Sequence, residues 1–288
     1  MFSNSKPNKT IFIFGLGYVG FSLGKLLIKN GWKVYSTKTN VKHLKDTKIS
    51  NIKIFEFNNS KKIPDLKLIL NNCTHLLSTI GPISGYDPVL KFHRNEIKTF
   101  NGWIGYISST SVYSSSGSNW IDEETLPKPI SNQGINRLKI ENEWKNISSL
   151  EIFRLSGIYG PNRNYIADLL KGNFEVIDKN DHLFNRIHRD DISNIIMKAM
   201  EKPSKNRILN LADGNPSSKL EVVKYTAKLI GAKPPIPIPF SKNKLSQSQR
   251  PYYLSSKKIH SNIKKILGID LIFPSYREGI KSIVNDQS

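Results

Sequence analysis

The sequence predicts an α/β fold: a doubly wound parallel sheet carrying a smaller C-terminal lobe. Three observations carry that expectation. A run of β-formers passes straight into a glycine-punctuated turn and a helix pattern, short apolar runs then alternate with helical segments as far as Tyr159, and beyond Tyr159 the alternation loosens.

The elements follow in order. Thr10 to Phe14 has the length and composition of a buried strand, and Val19, Leu23, Leu26 and Leu27 form one apolar face of a helix from Tyr18 to Asn30. Asn30-Gly31 stops that helix, and Trp32 to Ser36 reads as the second strand. Strands follow at Ile52–Phe57, Thr74–Thr79, Trp103–Ser108 and Leu150–Leu155. Helices fit between them at Pro88–Asn101, opened by Asp87-Pro88, and at Ile135–Asn146. Farther on, helices are expected at Asp191–Glu201, Lys219–Ile230 and Tyr276–Val284, with a short strand at Arg207–Leu211. Lys233 to Pro239 has four prolines, which exclude regular helix and central strand and leave an extended surface run. Residues 1–160, rejoined by 186–212, read as one domain, and 161–185 with 213–288 as the smaller lobe.

The junction Gly15-Leu16-Gly17-Tyr18-Val19-Gly20 states what the first domain binds. In a strand-to-helix turn of this spacing the first glycine permits the tight turn, the second lets a pyrophosphate approach the backbone, and the third lets helix and strand pack closely. The helix N-terminus adds N–H groups and a positive dipole end, as dinucleotide phosphates require. Gly15, Gly17, Tyr18, Val19 and Gly20 are therefore coenzyme-binding candidates. Dinucleotide folds that prefer NAD place a carboxylate about twenty positions after the first glycine. Here no Asp or Glu precedes Asp46, and the second strand runs out through Ser36-Thr37-Lys38-Thr39 toward Lys42. Donors and positive charge at Thr37 and Lys38 favour NADP over NAD. The fourth strand ends in Ser78-Thr79-Ile80-Gly81-Pro82, and a small loop there admits a coenzyme alongside Thr79 and Gly81.

Composition narrows the function classes. The 288 residues carry a formal net charge of +20, but the lysines are scattered. No zinc-finger, helix-turn-helix or aromatic RNA-binding pattern accompanies them, so charge alone carries a nucleic-acid reading. A single cysteine, Cys73, excludes an intramolecular disulfide framework and a Cys-rich zinc site, and no metal site is expected. The N-terminal apolar stretch is too short to span a bilayer and Met1 to Lys9 lacks a secretory pattern, so a soluble cytoplasmic protein is expected.

Four stretches in order resemble the extended short-chain dehydrogenase/reductase superfamily, the NAD(P)-dependent sugar epimerases and dehydratases with a Rossmann fold. They are Gly15 to Gly20, Ile107-Ser108-Ser109-Thr110-Ser111-Val112-Tyr113, Arg154-Leu155-Ser156-Gly157-Ile158-Tyr159-Gly160-Pro161, and Asn185-Arg186-Ile187-His188-Arg189-Asp190-Asp191-Ile192. The resemblance implies that Ser109 polarises a substrate oxygen. It also implies a tyrosine acid/base followed four residues later by a lysine, with Glu141 as the acidic residue that follows. At those two positions this chain has Gln133 and Arg137. Glutamine cannot pass a proton, whereas Arg137 can still hold ribose or phosphate oxygens. The stretch from Ser108 to Glu141, with Trp120, Asp122, Glu123 and Pro127, looks most like the atypical branch of the superfamily, some members of which bind coenzyme without the usual chemistry.

Tyr113, just past the fifth strand, and His188, beside two arginines, are the candidates for a substitute acid/base. Against these roles stand plainer ones: Tyr113 packing in the lobe, His188 opening a helix, and Ser109 capping a turn. Thr110, Arg163, Arg186 and His188 are the expected substrate-facing residues, with Arg154 and Asn164 in the same stretches. Two functions stay open: an NAD(P)-dependent oxidoreductase or epimerase acting on a small polar substrate such as a nucleotide-activated sugar, and a non-catalytic NADP-binding sensor. The resemblance also implies a homodimer.

Overall fold

In a computed structural model the chain is described over residues 9–41, 51–58, 60–117, 119–179, 181–247 and 249–286. Lys42 and Asp46, which entered the coenzyme argument, lie outside the described residues. The first half runs β1 (Thr10–Phe14), α1 (Tyr18–Lys29), β2 (Lys33–Lys38), β3 (Ile52–Glu56), α2 (Leu66–Leu70), β4 (His75–Ser78), α3 (Pro88–Lys98), β5 (Trp103–Ser109), β6 (Trp120–Ile121) and α4 (Asn132–Lys145). It continues through β7 (Glu151–Leu155), β8 (Gly157–Tyr159), α5 (Ile166–Leu170), β9 (Glu175–Asp178), β10 (Arg186–His188), α6 (Arg189–Glu201) and β11 (Ile208–Leu211). The last elements are α7 (Lys219–Leu229), β12 (Ile236–Pro239), α8 (Arg250–Tyr253), β13 (Lys258–Ile259), α9 (Ile263–Leu267) and α10 (Tyr276–Asn285).

A seven-stranded parallel sheet has the order β11-β7-β5-β4-β1-β2-β3, which is the expected α/β fold. Strand β1 is flanked by β2, with Ile11 opposite Val34, and by β4, with Phe12 opposite Leu76. All five of its residues are buried, as a central parallel strand covered on both faces requires. The chain winds outward one way through β2 and β3 and the other way through β4 and β5. The carboxyl ends of β1 and β4 therefore flank the switch point where such sheets take ligands.

Two compact units divide the chain. Unit 1 is Met1–Ser108, Asn136–Phe153 and Ile192–Ile208; unit 2 is Ser109–Ile135, Arg154–Asp191 and Leu209–Ser288. Phe12, Phe14, Leu76, Tyr106, Ile140 and Trp144 centre the core of unit 1. In that core Tyr106 stacks on Trp144 with ring centroids 5.5 Å apart. Asp87 caps α3 by accepting Leu90 N at 3.0 Å, with Pro88 in the first turn, and its other oxygen takes Trp144 Nε1 at 3.0 Å.

Unit 2 is built around Tyr159, Val222, Tyr276 and Ile280, with three two-stranded parallel pairs: β8 with β10, β9 with β12, and β6 with β13. The proline run supplies β12. Its prolines alternate, so the N–H groups that remain share one edge, and Ile236 and Phe240 donate to the carbonyls of Phe174 and Asp178 at 2.9 and 3.1 Å. Among the described residues no helix is long and apolar enough to cross a membrane.

The sequence-based boundaries shift only at element ends. Strand β2 continues two residues past Ser36 to Lys38, α4 opens at Asn132 rather than Ile135, and α3 stops at Lys98. The elements that patterning did not reveal are mostly the short pairs of unit 2.

Within unit 1, Glu151 is 1% exposed and gathers Trp103 Nε1 at 2.8 Å, Ser204 N at 2.9 Å, and Arg207 through Nε at 2.9 Å and Nη2 at 2.6 Å. Glu151→Ala would leave the largely buried Arg207 side chain, 12% exposed, without its counter-charge and Trp103 Nε1 without its acceptor. We expect it to lower unfolding free energy by about 3–5 kcal/mol in urea titrations, and a loss well below that range would show that the cluster contributes little.

Candidate functional site

The glycine turn of unit 1 is held from three directions. Gly15 has φ +94°, a left-handed conformation that a side chain would strain, and its N–H donates to Thr37 Oγ1 at 2.8 Å. Leu16 N donates to the Thr37 carbonyl at 2.8 Å, and Thr79 Oγ1 donates to the Gly15 carbonyl at 2.8 Å. A Cβ added at Gly20 would stand 2.2 Å from the Gly15 carbonyl oxygen, so α1 lies against the turn as closely as backbone allows. Gly17 differs. It is exposed, nothing lies within 4 Å of where its Cβ would be, and no side chain caps the start of the twelve-residue α1. That open notch at an uncapped helix N-terminus can receive a phosphate group.

These contacts place the expected coenzyme residues. Tyr18 and Val19 form the first turn of α1, with Val19 buried. Thr37 is 1% exposed and spends its hydroxyl on the turn, so it shapes the notch rather than facing a ribose phosphate. Lys38 is half-buried at the end of β2. Thr79 braces the turn, and Gly81 lies against Arg137, whose Nη2 would be 2.9 Å from a Cβ there. Arg137 donates through Nη1 to the Ile107 carbonyl at 3.2 Å and to Tyr106 OH at 3.4 Å, while its buried Nε–H has no hydrogen-bond partner. Four residues farther along α4, the fully buried Glu141 accepts the Ser108 hydroxyl at 2.5 Å.

Unit 2 contains a cavity of about 760 Å³, within the size range of small-molecule sites. Ser109, Thr110, Tyr113 and Gln133 all line it. The cavity thus brings together four residues that the motif analysis singled out. Ser109 Oγ accepts Ser111 N at 3.1 Å and caps the short turn after β5, and Thr110 Oγ1 reaches the Leu155 carbonyl at 3.4 Å. Gln133 is exposed in the first turn of α4, close behind Gly134, whose Cα sits against the Ser111 carbonyl so tightly that a Cβ would be 2.1 Å away.

Tyr113 is 2% exposed and its hydroxyl is committed. Arg154 Nη1 donates to it at 2.7 Å, and the hydroxyl faces Asn210 Oδ1 at 3.0 Å and the Asp122 carbonyl at 3.1 Å. Burial pushes its pKa up and Arg154 only partly opposes that shift, so the phenol keeps its proton near neutrality. The guanidinium also lies 5.0 Å from the ring centroid.

Three other candidates are not among the residues lining this cavity. Arg186 is 3% exposed and donates to the carbonyls of Phe184, Ser217 and Ser218 at 3.1–3.5 Å. His188 is 1% exposed: Nδ1 accepts Asp190 N at 3.2 Å, which places the ring proton on Nε2, and Phe273 packs 4.1 Å from the ring centroid. Burial lowers its pKa to about 4, with Asp190 pulling the other way, so it is neutral at pH 7 and serves the start of α6. Arg163 is exposed in the turn after β8, where its backbone pairs with Gly160.

On the cavity's other wall, Ser156 and Asn185 belong to quoted motif stretches without having been assigned to the site, and motif reasoning missed Arg250, Tyr252, Ser255 and Lys257 altogether. Residues 250–257 belong to no recognisable pattern and reach the cavity only through tertiary folding, so the sequence offered no signal for them.

No family model matches the chain. A solved structure, a functionally unknown conserved protein from Silicibacter pomeroyi DSS, is 32% identical, with 97% of this chain and 99% of that one covered and a TM-score of 0.89. The chain belongs to that protein's family. Protein YeeZ of Escherichia coli strain K12 is 24% identical to the chain over 244 residues, 79% of the chain and 86% of YeeZ. The dTDP-glucose 4,6-dehydratase of Bacillus anthracis str. Ames, solved in complex with NAD, shares the fold with a TM-score of 0.77 at 14% identity, 96% of each chain being covered. The chain therefore shares the Rossmann-like α/β fold of that dehydratase.

Two substitutions separate binding from folding in unit 1. Gly17→Leu enters open space and should leave the melting temperature unchanged while abolishing dinucleotide binding in titration calorimetry; retained affinity would show that the notch is not used. Gly20→Ala meets backbone and should destabilise by about 1–3 kcal/mol. In unit 2, Tyr113→Phe should cost about 1–3 kcal/mol in chemical denaturation through the partners it leaves, without changing the pH dependence of any turnover. A pH profile altered by this variant would return Tyr113 to the chemistry.

Proposed function

We propose that the protein is an atypical epimerase- or dehydratase-like oxidoreductase that binds NADP in unit 1 and a small polar substrate, a nucleotide-activated sugar by preference, in the cavity of unit 2. The observation that carries this reading is the braced glycine turn with open space at Gly17 before an uncapped helix. The residues present suit the coenzyme. Backbone at Gly17 and the start of α1 would hold the pyrophosphate, and Arg137, with its partnerless buried Nε–H, would hold ribose or phosphate oxygens. When bound, the nicotinamide supplies hydride transfer.

NADP is favoured because β2 ends in Lys38 and the chain has no carboxylate before Asp46. With Thr37 spent on the turn, the 2′-phosphate contact falls to Lys38. The fold neighbour from Bacillus anthracis acts on a nucleotide sugar by its name and was solved with NAD, which supports the coenzyme class and the substrate class together. A homodimer and a cytoplasmic location belong to the same proposal.

A second reading, a coenzyme-binding sensor without turnover, is favoured by two specific features: Gln133 cannot titrate, and the Tyr113 hydroxyl is engaged by Arg154 and Asn210. Calorimetry should give tighter binding of NADPH than NADH, and Lys38→Ala should reduce the preference by about tenfold. Equal affinities would remove the NADP assignment. Nucleotide-sugar panels followed at the NADPH absorbance band then decide between the two readings: turnover supports the enzyme, and persistent inactivity with tight coenzyme binding supports the sensor.

A further inference from the structure

The cavity of unit 2 has a one-sided charge. Among its described lining residues Arg250 and Lys257 are basic and none is Asp or Glu. Lys257 is half-buried, and among the described residues its ammonium has no hydrogen-bond or ion-pair partner. Nor is it a loose surface side chain. Lys257 N donates to the Leu183 carbonyl at 2.9 Å, and two residues on Ile259 N donates to Asn185 Oδ1 at 2.6 Å, so the backbone that carries it is pinned on both sides. Arg250 is steadied by its Nε–H on the Leu245 carbonyl at 3.3 Å.

Around these cations, Ser111, Ser156, Tyr252 and Ser255 line the cavity, and each has an enclosed hydroxyl oxygen with no hydrogen-bond partner. Enclosed hydroxyls without partners are costly unless a ligand or water satisfies them. Those four oxygens are closed off from the cavity itself, so its accessible charge is that of Arg250 and Lys257, which suits a ligand with an anionic group.

We propose that Lys257, assisted by Arg250, holds an oxyanionic group, carboxylate or phosphate, of the molecule bound in this cavity. The proposal rests on reading the cavity as the substrate site and is independent of the coenzyme assignment.

Burial with no counter-charge lowers the Lys257 pKa to about 8. An oxyanion beside the amine stabilises its charged form and raises that pKa. Binding above about pH 8 must therefore take up protons, and affinity must fall as pH rises through about 8. The neighbouring groups do not titrate in that window. Burial moves Tyr113 and Tyr252 up. His182, bonded to the carbonyls of Tyr252 and Ser255, moves down, and Asp213, behind Asn185, is raised only to about 6.

The test is calorimetric titration of the full chain with inorganic pyrophosphate, with glucuronate, and with glucose as the neutral control, in buffers of different ionisation enthalpy. At least one anion should bind about tenfold more tightly than glucose, with proton uptake in alkaline buffer; which anion binds distinguishes phosphate from carboxylate. Lys257→Met should lose both the preference and the pH dependence, and Lys257→Arg should keep the preference and lose the pH dependence. Glucose binding as well as both anions, or a preference that survives Lys257→Met, overturns the proposal. If none of the three probes binds, the cavity reading falls with it, whereas NADPH titration of the same variants reports separately on unit 1.

Discussion

The approach of α1 to the first turn is the constraint on which unit 1 depends. With a Cβ at Gly20 only 2.2 Å from the Gly15 carbonyl, helix and turn can meet this closely only if position 20 lacks a side chain, while position 15 needs glycine for its φ of +94°. That contact fixes where the helix N-terminus points, and Thr37 and Thr79 fix the turn from the neighbouring strands. The open space at Gly17 follows from this bracing. A turn free to move could fill its own notch, whereas a turn tied to β2 and β4 cannot.

Unit 2 uses polar groups differently. Arg154, Tyr113 and Asn210 form one buried cluster, and Arg186 spends its guanidinium on backbone carbonyls. Arg186 ties the carbonyls of Phe184, Ser217 and Ser218 together beside the short strand β10, and Arg154 anchors the Tyr113 hydroxyl. This explains why several residues with the chemistry of catalysis or substrate binding turn out to hold the fold together. The same economy leaves Lys257 conspicuous as a basic group in the cavity wall with no such duty.

Much of the fold was legible in the sequence because its central elements are governed by local rules. Thr10 to Phe14 had to be a buried strand, the glycine spacing had to break it into a helix, and Asp87-Pro88 had to start another, since each depends on backbone freedom or on hydrophobic period. The proline run was also readable as extended, although only pairing with β9 showed that alternate prolines leave a usable hydrogen-bonding edge. The pairs β6 with β13 and β8 with β10 were hidden because two or three residues carry no period, and each strand's partner lies far along the chain.

For the site, the sequence by itself determined the glycine turn, the residue types at Gln133 and Arg137, and the set of residues around Ser109, because these are statements about residue type and spacing. Only the tertiary structure decided which polar side chains are spent internally. Thr37, Tyr113, Arg186 and His188 carry the same chemistry on paper as residues that serve ligands, and burial with named partners assigned them to the fold. It also delivered Lys257 to a cavity lined by residues about 150 positions earlier. Spacing along a chain fixes what neighbours in sequence can do, but desolvation and partner choice depend on neighbours in space.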